Sequence, residues 1–314
     1  MRGPGFAKLR ELADVIYDPW IEQTPLRIYS AEQLAERIAS EGAEIVVVES
    51  DSVRGPVFAQ GLRAIASTRG DPNNVDIAGA TAAGIPVLNT PARNADAVAE
   101  MTVALLLAAT RHVLPADADV RSGNIFRDGS IPYQRFRGGE IAGRTAGLVG
   151  LGAVGRATQW RLSGLGLRVI AHDPYNPDAR HSLDELLAEA DIVSLHAPVT
   201  DDTAGMIGAG QFAAMRDGVV FLNTARAQLH DTDALVDALV AGKVAAAGLD
   251  HFAGEWLPAD HPLVGMANVV LTPHIGGATW NTEARQAQMV ADDLEALLKG
   301  DAPAHLVNPE VLGP

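Results

Sequence analysis

Residues 145–173 read TAGLV-GLGAVG-RATQWRLSGLGL-RVIAHD, and this stretch predicts the fold of the chain. Its first five residues are small or apolar, as in a buried strand, and a helix follows the glycines from Ala153. A second apolar run ends at Asp173, 18 residues after Gly155. This spacing is typical of a βαβ unit whose first turn carries the fingerprint G-x-G-x-x-G.

Each glycine of this turn has its own physical reason. Gly150 permits the tight turn out of the strand, Gly152 lets backbone approach a pyrophosphate, and Gly155 lets the helix pack close to the sheet. The phosphates would lie at the positive end of the helix, while Asp173 would accept hydrogen bonds from ribose hydroxyls and repel a 2′-phosphate. The alternative is a glycine turn without a ligand, but strand, helix and acid in register favour bound NAD over NADP. The predicted cofactor contacts of this turn are Gly150, Gly152, Ala153, Val154 and Gly155.

The composition excludes several classes of protein. Of the 314 residues, 47% are hydrophobic and 20% are charged, which is a globular balance. The net charge of −15 argues against nucleic acid and anionic membranes as partners. The chain has no cysteine, which excludes disulfides and thiolate chemistry and fits a cytoplasmic protein. No signal peptide is expected, and the apolar run Met101–Thr110 is too short to span a bilayer.

Helices and strands are predicted to alternate along the whole chain, with strands at Ile45–Val48 and Val244–Leu249 among them. A long helix is predicted from about Asp96 to Val120. Its apolar residues lie on several sides, which suits either a core helix between two domains or a helix at a subunit contact. A final helix is expected over Thr279–Lys299. The alternation predicts the α/β class.

Three predicted strands end at residues that can carry chemistry, namely Arg226, the Asp250–Glu255 loop and His274. In a doubly wound sheet the carboxyl ends of the strands share one edge, so these side chains are expected to converge near the glycines. Arginine can pair with a substrate carboxylate, histidine can transfer a proton near neutral pH, and a carboxylate can orient the imidazole. The set suits hydride transfer to a 2-oxo acid.

Each of these residues also has a plain structural alternative. Arg226 could form a surface salt bridge, Glu255 could be a solvated loop acid, and His274 could simply cap a strand. Six other histidines have no separate reason for a role: His112, His181, His230, His251, His261 and His305. Because ligand-type residues do not cluster in the sequence, no metal site is predicted.

Further motifs accompany the glycines: GIPV (84–87) with NTP (89–91), VAE (98–100), NTAR (223–226), GLD (248–250) and TPHIGG (272–277). With them the chain resembles, from about Ile45 to Pro309, the D-isomer-specific 2-hydroxyacid dehydrogenases. The resemblance implies two Rossmann-like, doubly wound parallel-sheet domains. One is a discontinuous, flavodoxin-like substrate domain (residues 1–97 and 284–314), and the other is an NAD-binding Rossmann domain (residues 98–283). The resemblance also implies a homodimer, formed largely through the Rossmann domain and its long helix.

By this resemblance Arg226 binds the substrate carboxylate, His274 is the acid/base and Glu255 is its partner. The expected activity is NAD-dependent interconversion of a small D-2-hydroxy acid and its 2-oxo acid. The residues implied to line the cofactor cleft or to face the nicotinamide are His196, Pro198, Thr224, Ala225, Asp250, Gly276 and Gly277.

The loop Arg69-Gly70-Asp71-Pro72 departs from the family, which usually has a glycine-rich loop whose amides hold the substrate carboxylate. Pro72 removes one N–H donor and Arg69 adds a cation, so the substrate contacts expected at Arg69 and Gly70 are unusual. Within the family, 3-phosphoglycerate oxidation stays open, with Arg69 and Arg54 as the candidate extra cations, and so does oxidation of phosphite. A different class of protein also stays open, because some family members are corepressors: an NAD(H)-sensing, corepressor-like binding protein.

Overall fold

A computed structural model of the protein describes residues 1–313. The strands within these residues are β1 (Ile45–Val48), β2 (Ala64–Ser67), β3 (Val87–Leu88), β4 (Thr145–Val149), β5 (Arg168–His172), β6 (Ile192–Leu195), β7 (Val219–Asn223), β8 (Val244–Leu249) and β9 (Val269–Leu271). All of them pair in parallel, in a three-stranded and a six-stranded sheet. The predicted α/β class is confirmed.

Helices alternate with the strands along most of the chain, as predicted. They are α1 (Gly3–Leu12), α2 (Ala31–Glu41), α3 (Ile77–Ala82), α4 (Ala95–Thr110), α5 (Val113–Arg121), α6 (Pro132–Arg135), α7 (Ala153–Gly164), α8 (Leu183–Glu189), α9 (Ala209–Ala214), α10 (Thr232–Val240), α11 (Pro262–Gly265) and α12 (Trp280–Lys299). Within the described residues, no single helix is long and apolar enough to cross a membrane. Only α4 and α5 taken together, bent by 66°, meet that test of length and composition.

Residue contacts divide the chain into two units. Unit 1 contains Met1–Arg93 and the residues from Thr279 onward, and unit 2 contains Asn94–Ala278. These boundaries fall before α4 and α12, so each helix belongs whole to one unit. The boundaries drawn from the sequence, 97/98 and 283/284, would cut both helices.

Unit 1 is built from both ends of the chain around the small sheet β1-β2-β3. The central strand β2 is buried along its whole length and has α2 residues such as Leu34 and Ile38 in the core cluster on one side. On the other side α1 packs against α12. A Cβ on Gly5 would lie 2.2 Å from the backbone nitrogen of Gln288, so glycine is needed where these helices touch.

Unit 2 contains the six-stranded sheet in the order β5-β4-β6-β7-β8-β9. Its strands carry fully buried side chains such as Leu148 and Phe221, because helices cover both faces of a parallel sheet. The order reverses between β4 and β6, since the chain first adds β5 on one side and then returns to the other. Ligands bind at such switch points in open α/β sheets, beyond the carboxyl ends of the strands.

The single long helix predicted from Asp96 to Val120 is wrong. The structure has two helices there, α4 and α5, with a bend of 66° between them. His112 lies at the break with a φ of +54°, a left-handed conformation that cannot continue an α-helix. The apolar periodicity runs through both helices, so it did not reveal the bend.

Candidate active site

The glycine turn (Gly150–Gly155) joins β4 to α7 at the switch point of the sheet. Gly150 has a φ of +98°, and a Cβ there would lie 2.7 Å from the carbonyl carbon of His196. A Cβ on Gly155 would lie 2.2 Å from the carbonyl oxygen of Gly150. A Cβ on Gly152 would meet no atom of the described chain within 4 Å. The protein itself therefore requires glycine at two positions, while the third faces open space that suits a pyrophosphate.

The first turn of α7 can receive the negative charge of that pyrophosphate. Gly152 is the N-cap residue and has no side chain to bond the N–H groups that follow, among them those of Ala153 and Val154. These N–H groups and the helix dipole favour an anion at this end of the helix. The residues present thus fit the dinucleotide that the sequence predicts.

Asp173 follows β5 and lies beside the glycine turn. Its Oδ2 accepts a hydrogen bond of 2.8 Å from the backbone N–H of Leu151, and its Oδ1 accepts one of 3.0 Å from that of Tyr175. These bonds fix the direction of the carboxylate, and each oxygen keeps a lone pair for a ribose hydroxyl.

His196 and Pro198 follow β6, on the other side of the switch point. The Nε2 of His196 is 2.9 Å from the Ser194 hydroxyl, and burial lowers the pKa of this imidazole to about 4. The carbonyl of Pro198 accepts a hydrogen bond of 2.6 Å from the Thr203 hydroxyl. His196 therefore stays neutral, and it forms part of the wall against Gly150 whether or not it also contacts a cofactor.

The residues after β7 form a turn that presents Arg226. The side chain of Asn223 holds this turn: its amide donates to the carbonyl of Arg226 (2.8 Å), and its oxygen accepts from the N–H of Ala225 (2.9 Å). The buried Thr224 hydroxyl is 2.8 Å from that of Thr102 in α4. In the sequence, Asn223 stands out only as part of the motif NTAR (223–226), although Asn at a strand end is typical of a turn-forming residue.

The Arg226 guanidinium is exposed, and one of its N–H groups donates to the Ala225 carbonyl at 2.6 Å. In the part of the chain that the structure describes, no carboxylate pairs with it. The surface salt bridge considered for Arg226 is thus not formed, and its remaining N–H groups can bind an anion.

Asp250 follows β8 directly and anchors the loop that follows β9. Its buried carboxylate accepts three hydrogen bonds: from the Thr272 hydroxyl (2.6 Å), from the Ile275 N–H (2.9 Å) and from the Gly276 N–H (2.7 Å). A Cβ on Gly276 would lie 2.8 Å from Asp250 Oδ2, and one on Gly277 would lie 2.9 Å from the Asn94 amide. Gly276 is therefore needed for this close packing, because three hydrogen bonds hold the Asp250 carboxylate in place, whereas a Cβ on Gly277 would approach only the Asn94 side chain, whose end can move.

The acid–base pair (Glu255 and His274) forms between the loops that Asp250 connects. His274 Nδ1 lies 2.8 Å from Glu255 Oε1, and both side chains are about half exposed. Glu255 and His274 both have left-handed backbone, with φ of +56° and +54°. Non-glycine residues rarely adopt this conformation, and such outliers cluster at functional sites.

His251 is the residue of this region that sequence reasoning missed. Its buried ring packs against that of His274, with 3.8 Å between the ring centroids. Burial is the main reason why the pKa of His251 falls to about 4, and the nearby charges of His274 and Arg226 lower it further. Arg226, His251, His274 and Glu255 are therefore neighbours. Two features of the sequence could have indicated His251: it directly follows Asp250, and it is four residues before Glu255.

The same region contains a set of possible metal ligands. Ring nitrogens of His251 and His274 and a carboxylate oxygen of Glu255 all lie within 4.8 Å of one another. No spacing in the sequence indicated this set, because His274 comes from a different strand end.

The loop with Arg69 and Gly70 lies in unit 1, after β2. The Arg69 carbonyl accepts from the Thr90 N–H at 2.9 Å, and the Gly70 carbonyl accepts from the Asn89 amide at 2.6 Å. These bonds hold the loop to the segment after β3. The expected substrate contacts of Arg69 and Gly70 stay predictions.

A Rossmann sheet with a glycine turn at its switch point and a His–Glu pair on the same unit defines a dinucleotide-dependent oxidoreductase. Residues 103–276 match the family described as D-isomer specific 2-hydroxyacid dehydrogenase, NAD binding domain. The chain belongs to this family of NAD-dependent enzymes, and the resemblance seen in its motifs is confirmed.

Individual relatives agree with this assignment. The chain is 38% identical to a glyoxylate reductase of Thermofilum pendens, over 98% of this chain and 92% of the relative. It is 39% identical to a D-3-phosphoglycerate dehydrogenase of Mycobacterium tuberculosis, over 85% of this chain but only 51% of the relative. A solved structure from Polaromonas sp., described as a putative D-isomer specific 2-hydroxyacid dehydrogenase, is 33% identical. The superposition covers 97% of this chain and 96% of the Polaromonas chain, with a TM-score of 0.85.

Proposed function

We propose that the protein reduces a small 2-oxo acid of glyoxylate size to the corresponding 2-hydroxy acid with NADH, giving the D-isomer where C2 becomes chiral, and catalyses the reverse reaction with NAD. The observation that carries the proposal is the hydrogen bond of 2.8 Å between His274 and Glu255 in the unit that contains the glycine turn. A histidine oriented by a carboxylate is the usual means of moving a proton to or from a substrate oxygen.

Each side chain has a separate task in this reaction. The exposed Arg226 guanidinium binds the substrate carboxylate and positions C2, for which bound NADH supplies the hydride. Since Nδ1 of His274 is bonded to Glu255, Nε2 is the nitrogen left to give a proton to the 2-oxo oxygen. In the reverse direction Nε2 takes the hydroxyl proton as the hydride leaves C2. Glu255 holds the ring and stabilises its charged form.

Glyoxylate-sized substrates are favoured by the extent of the similarity. The glyoxylate reductase of Thermofilum pendens matches over nearly its whole length, while the phosphoglycerate dehydrogenase matches over about half of its own. The alternative substrate 3-phosphoglycerate carries a phosphate that needs additional cations. Arg69 and Arg54 are the only candidates that the sequence suggested for this purpose, so 3-phosphoglycerate is less favoured.

We also propose a cytoplasmic homodimer in which unit 1 is the substrate domain. A chain without cysteine forms no disulfide, which fits the cytoplasm. Several apolar side chains on α5 and just after it are exposed in a single chain, which supports a second copy as partner: Val113, Leu114, Val120 and Phe126. Light scattering after size-exclusion chromatography measures the mass, and a monomer at micromolar concentration would contradict the dimer.

The experiment that tests the function is NADH oxidation with glyoxylate, hydroxypyruvate and pyruvate, and NAD reduction with 3-phosphoglycerate. Arg226→Ala should lower kcat/KM for the preferred 2-oxo acid by roughly 100-fold or more, because the substrate loses its charged anchor. Arg216→Ala is the matched control, since Arg216 is an exposed arginine of the same unit that pairs with Asp191 at 2.9 Å. No oxidation with any 2-oxo acid while NADH still binds would support the sensor alternative instead.

A further inference from the structure

The grouping of His251, Glu255 and His274 contains more ligand chemistry than an acid–base pair needs. His274 Nδ1 and Glu255 Oε1 are 2.8 Å apart, and His251 Nδ1 lies 3.9 Å from the same oxygen. Two imidazole nitrogens and one carboxylate oxygen form a ligand set that Zn²⁺ binds in proteins with a fourth position open. Within residues 1–313, no second group of three such side chains comes as close together.

We propose that His251, Glu255 and His274 form a Zn²⁺ site, and that zinc bound there inhibits the enzyme. Binding goes beyond the proposed function, whereas the inhibition rests on the proposed role of His274.

The two distances to Glu255 Oε1 need only small adjustments to accept the ion, and the ring nitrogens of His251 and His274 lie within 4.8 Å of each other. With zinc bonds of about 2.0–2.1 Å, ligand atoms around a tetrahedral ion are roughly 3.3 Å apart. The 2.8 Å between His274 Nδ1 and Glu255 Oε1 must lengthen, and the 3.9 Å between His251 Nδ1 and the same oxygen must shorten. Each change is smaller than the length of a bond. Glu255 can make this movement because its side chain is 58% exposed, while His251 is buried and its position is set by packing.

The 3.9 Å between His251 and Glu255 is too long for a hydrogen bond. His251 therefore adds nothing to the orientation of Glu255 through such a bond, yet its Nδ1 lies near the same carboxylate oxygen that His274 contacts. Imidazole nitrogens favour zinc, copper and nickel, whereas Mg²⁺ and Ca²⁺ prefer oxygen ligands. The chain has no cysteine, so no thiolate competes for the ion.

Zinc on Nδ1 of His274 would displace the proton that this nitrogen shares with Glu255. The remaining ring proton would then be on Nε2, and its transfer to a substrate oxygen would leave an imidazolate instead of a neutral imidazole. Loss of a proton from the zinc-bound imidazole is far less favourable than loss of a proton from the imidazolium of the zinc-free enzyme. Zinc should therefore stop the proton step while the glycine turn and NADH binding are unaffected.

The test is a titration of tag-free protein with Zn²⁺ alone, by calorimetry and by competition with a chromogenic chelator. The wild type should bind about one ion per chain, and Mg²⁺ should not compete. His251→Asn should weaken zinc binding by roughly 10-fold or more. His181→Asn is the matched control, because His181 lies 3.6 Å from Glu189 in a separate His–Glu pair. Equal zinc affinity for wild type and His251→Asn, or an equal loss in His181→Asn, would overturn the site.

Activity gives a second, separate result. Zinc should inhibit NADH oxidation by the wild type, EDTA should restore it, and the inhibition constant should follow the dissociation constant across the variants. If His251→Asn does not fold, Glu255→Gln tests the same site, because its side chain is exposed and its loss should weaken zinc binding as well. Zinc binding by a protein inactive on all 2-oxo acids would keep the site and reject the proposed function. Stoichiometric zinc without inhibition would overturn the inhibitory role.

Discussion

The glycine turn and the acid–base pair lie in the same unit, yet they are held in place in opposite ways. In the turn, backbone packs directly on backbone, so closely that a Cβ added to Gly155 would lie 2.2 Å from the Gly150 carbonyl oxygen. The pair consists of two half-exposed side chains joined by one hydrogen bond. The cofactor site therefore depends on local backbone shape, and the proton chemistry depends on loops that distant residues hold together.

Asp250 explains how exposed groups can still be well positioned. Its carboxylate binds the loop of His274 through three hydrogen bonds, although the His274 side chain itself is about half exposed. Glu255 and His274 both keep left-handed backbone, which persists only where surrounding contacts determine it. The difference between the regions leads to mutations that should affect one of them and leave the other unchanged.

Replacing His274 by Gln should separate the two regions most strongly. Glutamine cannot exchange a proton with the substrate oxygen, so kcat should fall by roughly 10²–10⁴-fold. The dissociation constant of NADH, measured by fluorescence titration, should stay within about threefold of wild type because the glycine turn is unchanged. A kcat close to that of the wild type would contradict the role of His274.

Replacing Gly155 by Ala should have the opposite effect, because its Cβ would collide with the Gly150 carbonyl oxygen. We expect a loss of about 2 kcal/mol in the free energy of unfolding, together with weaker NADH binding. Gly164→Ala is the control within the same helix: its Cβ meets no described atom within 4 Å, so stability should stay equal or rise by about 0.5–1 kcal/mol. Urea unfolding measures the free energy of unfolding of both variants. Equal stability of the two variants would show that the turn is not tightly packed.

His230 supports the turn that presents Arg226, because its Nδ1 is 3.0 Å from the Asn223 amide. Titration of His230 should therefore make the free energy of unfolding depend on pH. Burial lowers the pKa of His230 from 6.5 to about 4 in the folded protein. The unfolded chain therefore binds more protons between these values, and stability must fall as the pH drops from 6.5 towards 4. His230→Phe keeps the ring packing near Phe221 and should reduce the loss between pH 7 and pH 5 by about 2 kcal/mol. An unchanged pH dependence of unfolding would refute the shifted pKa.

Replacing Gly152 by Ala should give the smallest and most selective effect. Its Cβ faces space that no described atom fills, so the free energy of unfolding should change by less than about 1 kcal/mol. NADH binding should nevertheless weaken by roughly 10-fold, about 1.4 kcal/mol, because the methyl group would approach the pyrophosphate. Unchanged NADH affinity would place the phosphates elsewhere.

Local patterns in the sequence predicted much of the fold. Strands β1 and β8 have the predicted bounds, and the glycines, the following helix and Asp173 lie as the fingerprint indicated. These features depend on periodicity and on backbone geometry within a few residues, which a linear pattern contains. The bend at His112 was missed because apolar residues continue through it on both sides.

By itself, the sequence determined the α/β class, the glycine turn and the identity of the strand-end residues, since local sterics and hydrophobic alternation decide these. Only the tertiary structure decided that His251 packs on His274, that Asn223 and Asp250 hold the functional loops, and that Arg226 has no carboxylate partner among the described residues. Contacts between strand ends far apart in the chain depend on how the sheet twists and how its loops close. No spacing along one strand or helix contains that information.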